Sequence, residues 1–278
     1  MPDTLFEMRP GGVALITLNR PERLNSMGGD LMPLFAEYLE QCEKDSAVRC
    51  VAVTGAGRAF CAGGDVGGMQ RRNSAESAPS EDSNPAVALV ASLQRTVADL
   101  RVLQRATSLR LHRMPKPTVA IVNGHAVGAG MSLALACDIR LCSSTAKFGT
   151  AFRNIALSGD FGGSYFLQRL VGNGRARELY YTAEVVDARR ALEMGIANQV
   201  FEGDDWLEQA LAVCARLAAG PTGTYARMKE NLNLAETAPL ETVLDQEALY
   251  QRMTGITRDS REAVLAFMEK REPVFAGE

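Results

Sequence analysis

Short apolar segments alternate with amphipathic ones along the first part of the chain. Residues 13–19, 49–54 and 118–122 are apolar and partly β-branched, which predicts buried strands. Residues 30–43 repeat apolar side chains at helical spacing, and residues 86–110 do so over a longer stretch. Because strand and helix patterns follow one another repeatedly, the sequence predicts a layered α/β core.

The pattern changes in the second half of the chain. Residues 131–137 are nearly all apolar and predict a helix central to the core, followed by a short strand over 139–142. Residues 158–170 predict a glycine-rich turn leading into a helix. From residue 174 to 278, helices alternate with short connections, and the last predicted helix spans 260–270. The C-terminal portion is therefore expected to be helical.

Residues 70–85 interrupt this order. They are polar, contain serine and proline, and have no apolar period, which predicts a mobile loop. A loop at this place is either a lid over a binding site or an exposed connection, and the sequence leaves both open. The predicted helix that follows places Leu89, Leu93, Val97 and Leu100 on one face.

Composition narrows the function classes. A chain of 278 residues that is 46% hydrophobic and 23% charged can form one large domain with a full core. The net charge of -3 gives no reason to expect nucleic-acid binding. Two histidines and six cysteines without a Cys-x-x-Cys pair argue against a zinc site and for reduced core thiols. With no signal peptide and no apolar stretch of membrane-spanning length, a cytoplasmic location without membrane association is expected.

Two segments rich in small residues carry the candidate chemistry. The sequence FCAGGD at residues 60–65 follows one predicted strand, and NGHAVGAG at residues 123–130 follows another. Each allows backbone N–H groups to approach a ligand without a side chain in the way. Two N–H groups that converge on one oxygen form an oxyanion hole, and the N–H of Ala129 would lie at a helix N-terminus that favours negative charge. The pair predicts an enzyme that acts on a carbonyl compound.

Together with CDIR at residues 137–140 and RRALEMGIA at residues 189–197, these segments resemble the crotonase superfamily of enoyl-CoA hydratases and isomerases. The similarity runs from residue 13 to the C-terminus. It implies an α/β spiral of ββα repeats, with a core over residues 1–200 and a C-terminal helical trimerisation region over residues 201–278. It also implies a homotrimer or a dimer of trimers.

The resemblance further implies an acyl-CoA thioester whose carbonyl oxygen lies between the N–H groups of Ala62 and Ala129. Coenzyme A is then part of the substrate, and no separate cofactor or metal is expected. The residues expected at the coenzyme A moiety are Arg23, Leu24, Ala62, Gly64, Asp65, Phe267 and Lys270. Phe267 and Lys270 would reach the coenzyme A of a neighbouring subunit. Arg23 and Lys270 also have an ordinary explanation as exposed cations in a turn and at a helix end.

The chain departs from the hydratase pattern at its acid–base positions. Ser132 and Phe152 occupy the two positions where a hydratase of this superfamily carries catalytic glutamates. Asp160 matches a position where isomerases and aromatic acyl-CoA dehalogenases carry a catalytic aspartate. Phe152, Phe161 and Tyr165 would surround it with apolar groups, which raises the pKa of a carboxyl group. The structural alternative is an aspartate that stabilises a turn or caps a helix.

The predicted pocket is lined by His125, Ser132, Phe152 and Phe161, with His125 interpreted as a lining rather than a catalytic residue. The favoured function is an acyl-CoA isomerase in which Asp160 moves a proton. Three alternatives stay open: an enoyl-CoA hydratase without the usual glutamates, a dehalogenase in which Asp160 attacks an aromatic carbon, and a catalytically reduced acyl-CoA-binding scaffold.

Overall fold

The computed structural model describes residues 1–65, 67–68 and 85–277. These residues form two β-sheets and the helices that pack against them. The strands are β1 (Thr4–Arg9), β2 (Val13–Leu18), β3 (Cys50–Gly55), β4 (Ala59–Cys61), β5 (Thr118–Val122), β6 (His125–Val127), β7 (Ile139–Ser143), β8 (Lys147–Gly149), β9 (Val185–Asp187) and β10 (Gln199–Phe201). The α-helices are α1 (Leu31–Lys44), α2 (Pro85–Gln104), α3 (Arg110–Arg113), α4 (Ala129–Ala136), α5 (Gly163–Val171), α6 (Asn173–Thr182), α7 (Ala188–Glu193), α8 (Trp206–Ala218), α9 (Thr222–Ala235), α10 (Leu240–Gly255) and α11 (Arg258–Glu269). The loop predicted over residues 70–85 lies outside the described residues, apart from Pro85, which begins α2.

The two strands of each repeat belong to different sheets. The larger sheet has the order β1-β2-β3-β5-β7-β10, and the smaller has the order β4-β6-β8-β9. In the repeats β3-β4-α2, β5-β6-α4 and β7-β8-α5, the first strand joins the larger sheet and the second joins the smaller. The strands β3, β5 and β7 pair in parallel, as do β4, β6 and β8. This confirms the predicted α/β fold of ββα repeats.

The inner strands β2, β3 and β5 of the larger sheet are buried on both faces, which explains why their segments are mostly apolar. On β2, Ala14 and Ile16 belong to the main core cluster, whereas Val13 and Leu15 face a second cluster formed with α8. Helix α8 begins at Trp206, so the first long helix of the predicted C-terminal region packs against the core sheet. The boundary at residue 200 stays a prediction.

The helix predicted over residues 86–110 is divided in the structure. Helix α2 ends at Gln104, a π-helical turn spans Arg105–Leu109, and α3 continues to Arg113. The face with Leu89, Leu93, Val97 and Leu100 is exposed, with 62% of Leu89 accessible. The spacing identified the helix correctly, but the periodicity of a helix does not specify what its apolar face packs against. Within the described residues, the helices are too short or too polar to cross a membrane.

Candidate active site

The two glycine-rich segments meet because their strands are neighbours in the smaller sheet. Strands β4 and β6 pair in parallel, so the segments that follow them leave the sheet at the same edge. A Cβ on Gly130 would lie 2.1 Å from the carbonyl oxygen of Cys61, a distance that no side chain tolerates. A Cβ on Gly63, whose φ is +90°, would lie 2.8 Å from the Val127 oxygen and 3.4 Å from the Ala129 nitrogen. Glycine is therefore required for this backbone contact.

The N–H group of Ala62 does not face a ligand, which corrects the sequence prediction. It donates to the carbonyl oxygen of Leu24 at 3.0 Å. The N–H of Gly63 is directed at the sulfur of Cys61. For the next N–H group, that of Gly64, no acceptor lies within hydrogen-bonding distance among the described residues. In this segment the N–H of Ala62 is therefore hydrogen-bonded within the protein, and the N–H of Gly64 is available to a ligand.

Ala129 lies where the sequence predicts it, at the start of a helix. It is the first residue of α4 and follows Gly128, which has a φ of 56°. Gly128 donates its own N–H to Gly149 at 2.8 Å, which holds the approach to the helix in place. The N–H of Ala129 has no acceptor in the described part of the chain. Its position at the positive end of the helix dipole favours a partly negative oxygen.

The open amides line one cavity of about 180 Å³. One wall is the backbone of the two glycine-rich segments, and the opposite wall comes from the segment after β8. The lining residues are Ala62, Gly63, Gly64, Val127, Gly128, Ala129, Ala151, Phe152, Asn154, Ile155, Leu157 and Asp160. Asn154, Ile155 and Leu157 were not identified from the sequence, because they lie in an irregular segment without a motif.

Asp160 brings a carboxyl group to the same cavity. Its Oδ1 atom is buried and has no hydrogen-bond partner in the part of the chain that the structure describes, and burial raises its pKa to about 6 from a usual value of 3.8. The structure argues against a capping role, because the N-cap of α5 is Gly162. The turn around Asp160 is held in an uncommon conformation, with φ of 116° at Gly159 and 47° at Phe161. Such conformations are concentrated at functional sites.

Three of the four predicted lining residues lie outside the cavity. His125 is exposed on β6, between Ala59 of β4 and Lys147 of β8. Ser132 is buried and its hydroxyl donates to the Gly128 carbonyl at 3.3 Å, one turn back along α4. Phe161 packs into the main core cluster. Only Phe152 lines the cavity as expected. Proximity to a motif in sequence did not indicate which way these side chains point.

A different tyrosine from the one expected lies near Asp160. Tyr165 points away from Asp160, because its hydroxyl contacts Glu236. The Cζ atom of Arg169 lies 3.5 Å from the centroid of the Tyr165 ring. Tyr180 on α6 stacks instead on Phe152, with ring centroids 6.0 Å apart and an interplanar angle of 15°. The pKa of Tyr180 is raised to about 12 by burial and by the negative charge of Asp160. Neither spacing nor a motif singled out Tyr180 in the sequence.

The residues expected at coenzyme A are distributed over two regions. Arg23 is exposed in the turn Pro21–Arg23, and Leu24 lies beside the glycine-rich segment through its bond to Ala62. Asp65 is half-buried and accepts the N–H of Gly68 at 3.0 Å. Phe267 and Lys270 are exposed at the end of α11, away from this cavity's lining. Their contact with coenzyme A stays a prediction.

A cavity with two open backbone amides on one wall and a desolvated carboxyl group on the other defines a site for carbonyl chemistry with proton transfer. Comparison with known proteins agrees with this class. The family model described as enoyl-CoA hydratase/isomerase matches residues 8–278. The chain belongs to this family.

Similar proteins carry both kinds of family name. The 1,2-epoxyphenylacetyl-CoA isomerase of Escherichia coli is 40% identical over 266 residues, covering 96% of this chain and 95% of the relative. The short-chain-enoyl-CoA hydratase of Clostridium acetobutylicum is 31% identical over 265 residues, covering 95% of this chain and 94% of the relative. The crystal structure of an enoyl-CoA hydratase from Bacillus anthracis matches with a TM-score of 0.85 and 29% identity, over 100% of both chains.

Proposed function

We propose that this protein is an acyl-CoA isomerase that moves a proton, and with it a double bond or a ring bond, through a thioester enolate. The observation that carries the proposal is the buried Oδ1 of Asp160, which has no partner within the described ranges and lies in a cavity shared with the N–H groups of Gly64 and Ala129. Gly64 replaces Ala62 as the first donor, because the Ala62 N–H is already bonded to Leu24.

The reaction needs a base, an electron sink and a returned proton. The carboxylate of Asp160 removes a proton from the α carbon or from an allylic carbon of the acyl group, and the electron pair moves to the thioester oxygen. The N–H groups of Gly64 and Ala129 stabilise that oxygen, and loss of one such donor costs about 2.7–4 kcal/mol of transition-state stabilisation. The carboxylic acid of Asp160 then returns the proton to another carbon, so that substrate and product have the same composition.

The pKa of about 6 suits Asp160 to both steps. At neutral pH most of the group is the carboxylate that can accept a proton, whereas the raised pKa makes that carboxylate a stronger base than an exposed aspartate. No bonded donor has to be removed from Oδ1 before the proton is accepted.

The side chains at the positions of the hydratase glutamates favour isomerisation over hydration. The family resemblance matches these positions to Ser132 and Phe152. Ser132 lies outside the cavity with its hydroxyl bonded to the Gly128 carbonyl, and Phe152 is an aromatic residue of the cavity lining. Neither side chain can ionise to activate a water molecule. Hydratase activity remains the second candidate, because a relative with 31% identity is named a short-chain-enoyl-CoA hydratase.

Two further features refine the proposal. The similarity to a 1,2-epoxyphenylacetyl-CoA isomerase, together with Phe152 in the cavity wall, supports an acyl group derived from an aromatic ring. Self-association as a trimer or hexamer is supported by exposed apolar side chains on α10 and α11. These are Leu240, Leu244, Leu249, Met253, Val264, Leu265, Phe267 and Met268, with Ile256 exposed between the two helices. Lys270 and Phe267 would contact coenzyme A across such an interface.

The mass of the product separates the two candidate functions. The protein is incubated with unsaturated and epoxidised acyl-CoA thioesters, and the products are separated from the substrate by liquid chromatography before their masses are measured. We expect products with the mass of the substrate, and the Asp160→Asn variant should lower turnover by about 10²–10⁴-fold while binding the thioester normally. Products heavier by one water, formed equally well by the variant, would instead identify a hydratase that does not use Asp160.

A further inference from the structure

We propose that Tyr180 is a positioning residue whose ring closes the wall behind Asp160 and keeps water away from its carboxyl group. The inference rests on the proposed function, because it explains how the base of that reaction is prepared. Tyr180 lies on α6, outside the glycine-rich motifs, and it does not itself line the cavity.

Tyr180 contacts the turn that carries Asp160. A Cβ on Gly159 would lie 3.3 Å from Cε1 of Tyr180 and 3.5 Å from its hydroxyl oxygen. A Cβ on Gly163 would lie 2.8 Å from the same oxygen. The tyrosine therefore fills the space beside glycines on both sides of Asp160, and a larger residue at Gly163 would displace it.

Tyr180 also continues the wall formed by Phe152. The ring of Tyr180 is nearly parallel to that of Phe152, which lines the cavity beside Asp160. At the other edge, the hydroxyl of Ser132 lies 2.3 Å from the same Cβ position on Gly163 that meets Tyr180. Ser132 is on α4, the helix that begins at Ala129. Tyr180 thus lies between the aromatic wall and the helix that supplies an oxyanion donor.

The titratable side chains that face Asp160 are neutral. Tyr180 faces it from α6 and Cys61 faces it from β4, and burial raises the pKa of both groups to about 12, so both are neutral at physiological pH. Arg153, on the segment between β8 and Asp160, is exposed and donates to the Thr182 carbonyl at 3.0 Å. Within the described residues, burial is the cause of the raised pKa of Asp160, and no cation offsets it. A shield of neutral side chains is what such an effect requires.

The test is a titration of Asp160 in the free protein by NMR of labelled aspartate carboxyl carbons, with the signal assigned through Asp160→Asn. The wild-type group should titrate with a pKa of about 6. Tyr180→Ala admits water and should lower that pKa by about one unit or more, whereas Tyr180→Phe keeps the ring and should leave it in place. Tyr180→Leu, which fills more of the space, should shift it less and in the same direction. Tyr181→Ala, at an exposed neighbouring position, is the matched control.

Two results would overturn the proposal: an unchanged titration in both Tyr180→Ala and Tyr180→Leu, or a shift in Tyr180→Phe as large as in Tyr180→Ala. The rate should follow the titration, because the acid limb of kcat/KM moves to lower pH with the pKa of the base. The titration needs no substrate. An Asp160→Asn variant that keeps its activity would therefore refute the proposed function without deciding the role of Tyr180.

Discussion

Asp138 and Asp160 are both attached to the core, but their surroundings are opposite. The Oδ2 atom of Asp138 accepts the N–H of Thr118 at 2.8 Å, the hydroxyl of Thr118 at 3.0 Å and the ammonium of Lys229 at 2.9 Å. The Oδ1 atom of Asp160 is buried without a partner among the described residues. One carboxylate is therefore held by three hydrogen bonds to neighbouring elements, whereas the other has a buried oxygen that forms none of this kind.

The difference separates a structural carboxylate from a chemical one. Lys229 also donates to the carbonyl of Leu111 at 2.9 Å, so Asp138 and Lys229 together attach α9 to the core. Asp160 has no such partners among the described residues, and the burial that raises its pKa makes the charged carboxylate unfavourable for the stability of the folded protein. Substitution by asparagine should therefore affect the two sites in opposite directions.

The larger effect is expected at Asp138. Asp138→Asn leaves the largely buried ammonium of Lys229 without a counter-charge and should lower the free energy of unfolding by about 3 kcal/mol. The measurement is denaturant unfolding at neutral pH. Adding Lys229→Met to the same protein removes the unpaired charge, so the double variant should recover part of the loss. A single variant as stable as the wild type would mean that the pair contributes nothing to the attachment of α9.

A smaller effect of opposite sign is expected at Asp160. The pKa of Asp160 is about 6 in the folded protein, above the usual value of 3.8. The protonated side chain therefore contributes its full stabilisation to the folded protein below pH 3.8, and this stabilisation is lost as the pH rises through 6. Asp160→Asn should therefore raise the free energy of unfolding by about 2 kcal/mol near pH 8, and the gain should disappear near pH 4.

The matched control is Asp204→Asn at an exposed position, which should change stability by less than about 0.5 kcal/mol at either pH. If Asp160→Asn is destabilising at the higher pH, then the carboxylate has a stabilising partner in solution, and the contrast between the two aspartates does not hold.

Much of the fold was predictable from the sequence, because the pattern and the packing have the same cause. The segments 13–19, 49–54 and 118–122 are mostly apolar, and the structure buries β2, β3 and β5 on both faces. The short strands of the smaller sheet were less accessible to prediction. Strands β4, β6 and β8 have three residues each, and two of them overlap or adjoin glycine-rich motifs that read as turns.

The candidate site was only partly predictable. Ala129 and Asp160 lie where the resemblance and the residues indicated, since a helix start and a turn are local features. The availability of the Ala62 amide depends on Leu24, 38 residues earlier in the chain, and that bond leaves no local signal. The position of Tyr180 beside Asp160 likewise depends on how α6 packs against the turn. Long-range packing of this kind decides which of several adjacent groups reaches the ligand.

The central claim, that Asp160 transfers a proton on a thioester held by Gly64 and Ala129, is tested most directly by isotope exchange. An acyl-CoA substrate is incubated in heavy water, and deuterium entering the acyl carbons is followed by NMR. The wild-type protein should introduce deuterium at the α or allylic carbon from which the proton is removed. The Asp160→Asn variant should not, although it stays folded and binds the substrate. Exchange by Asp160→Asn at the wild-type rate would contradict the account.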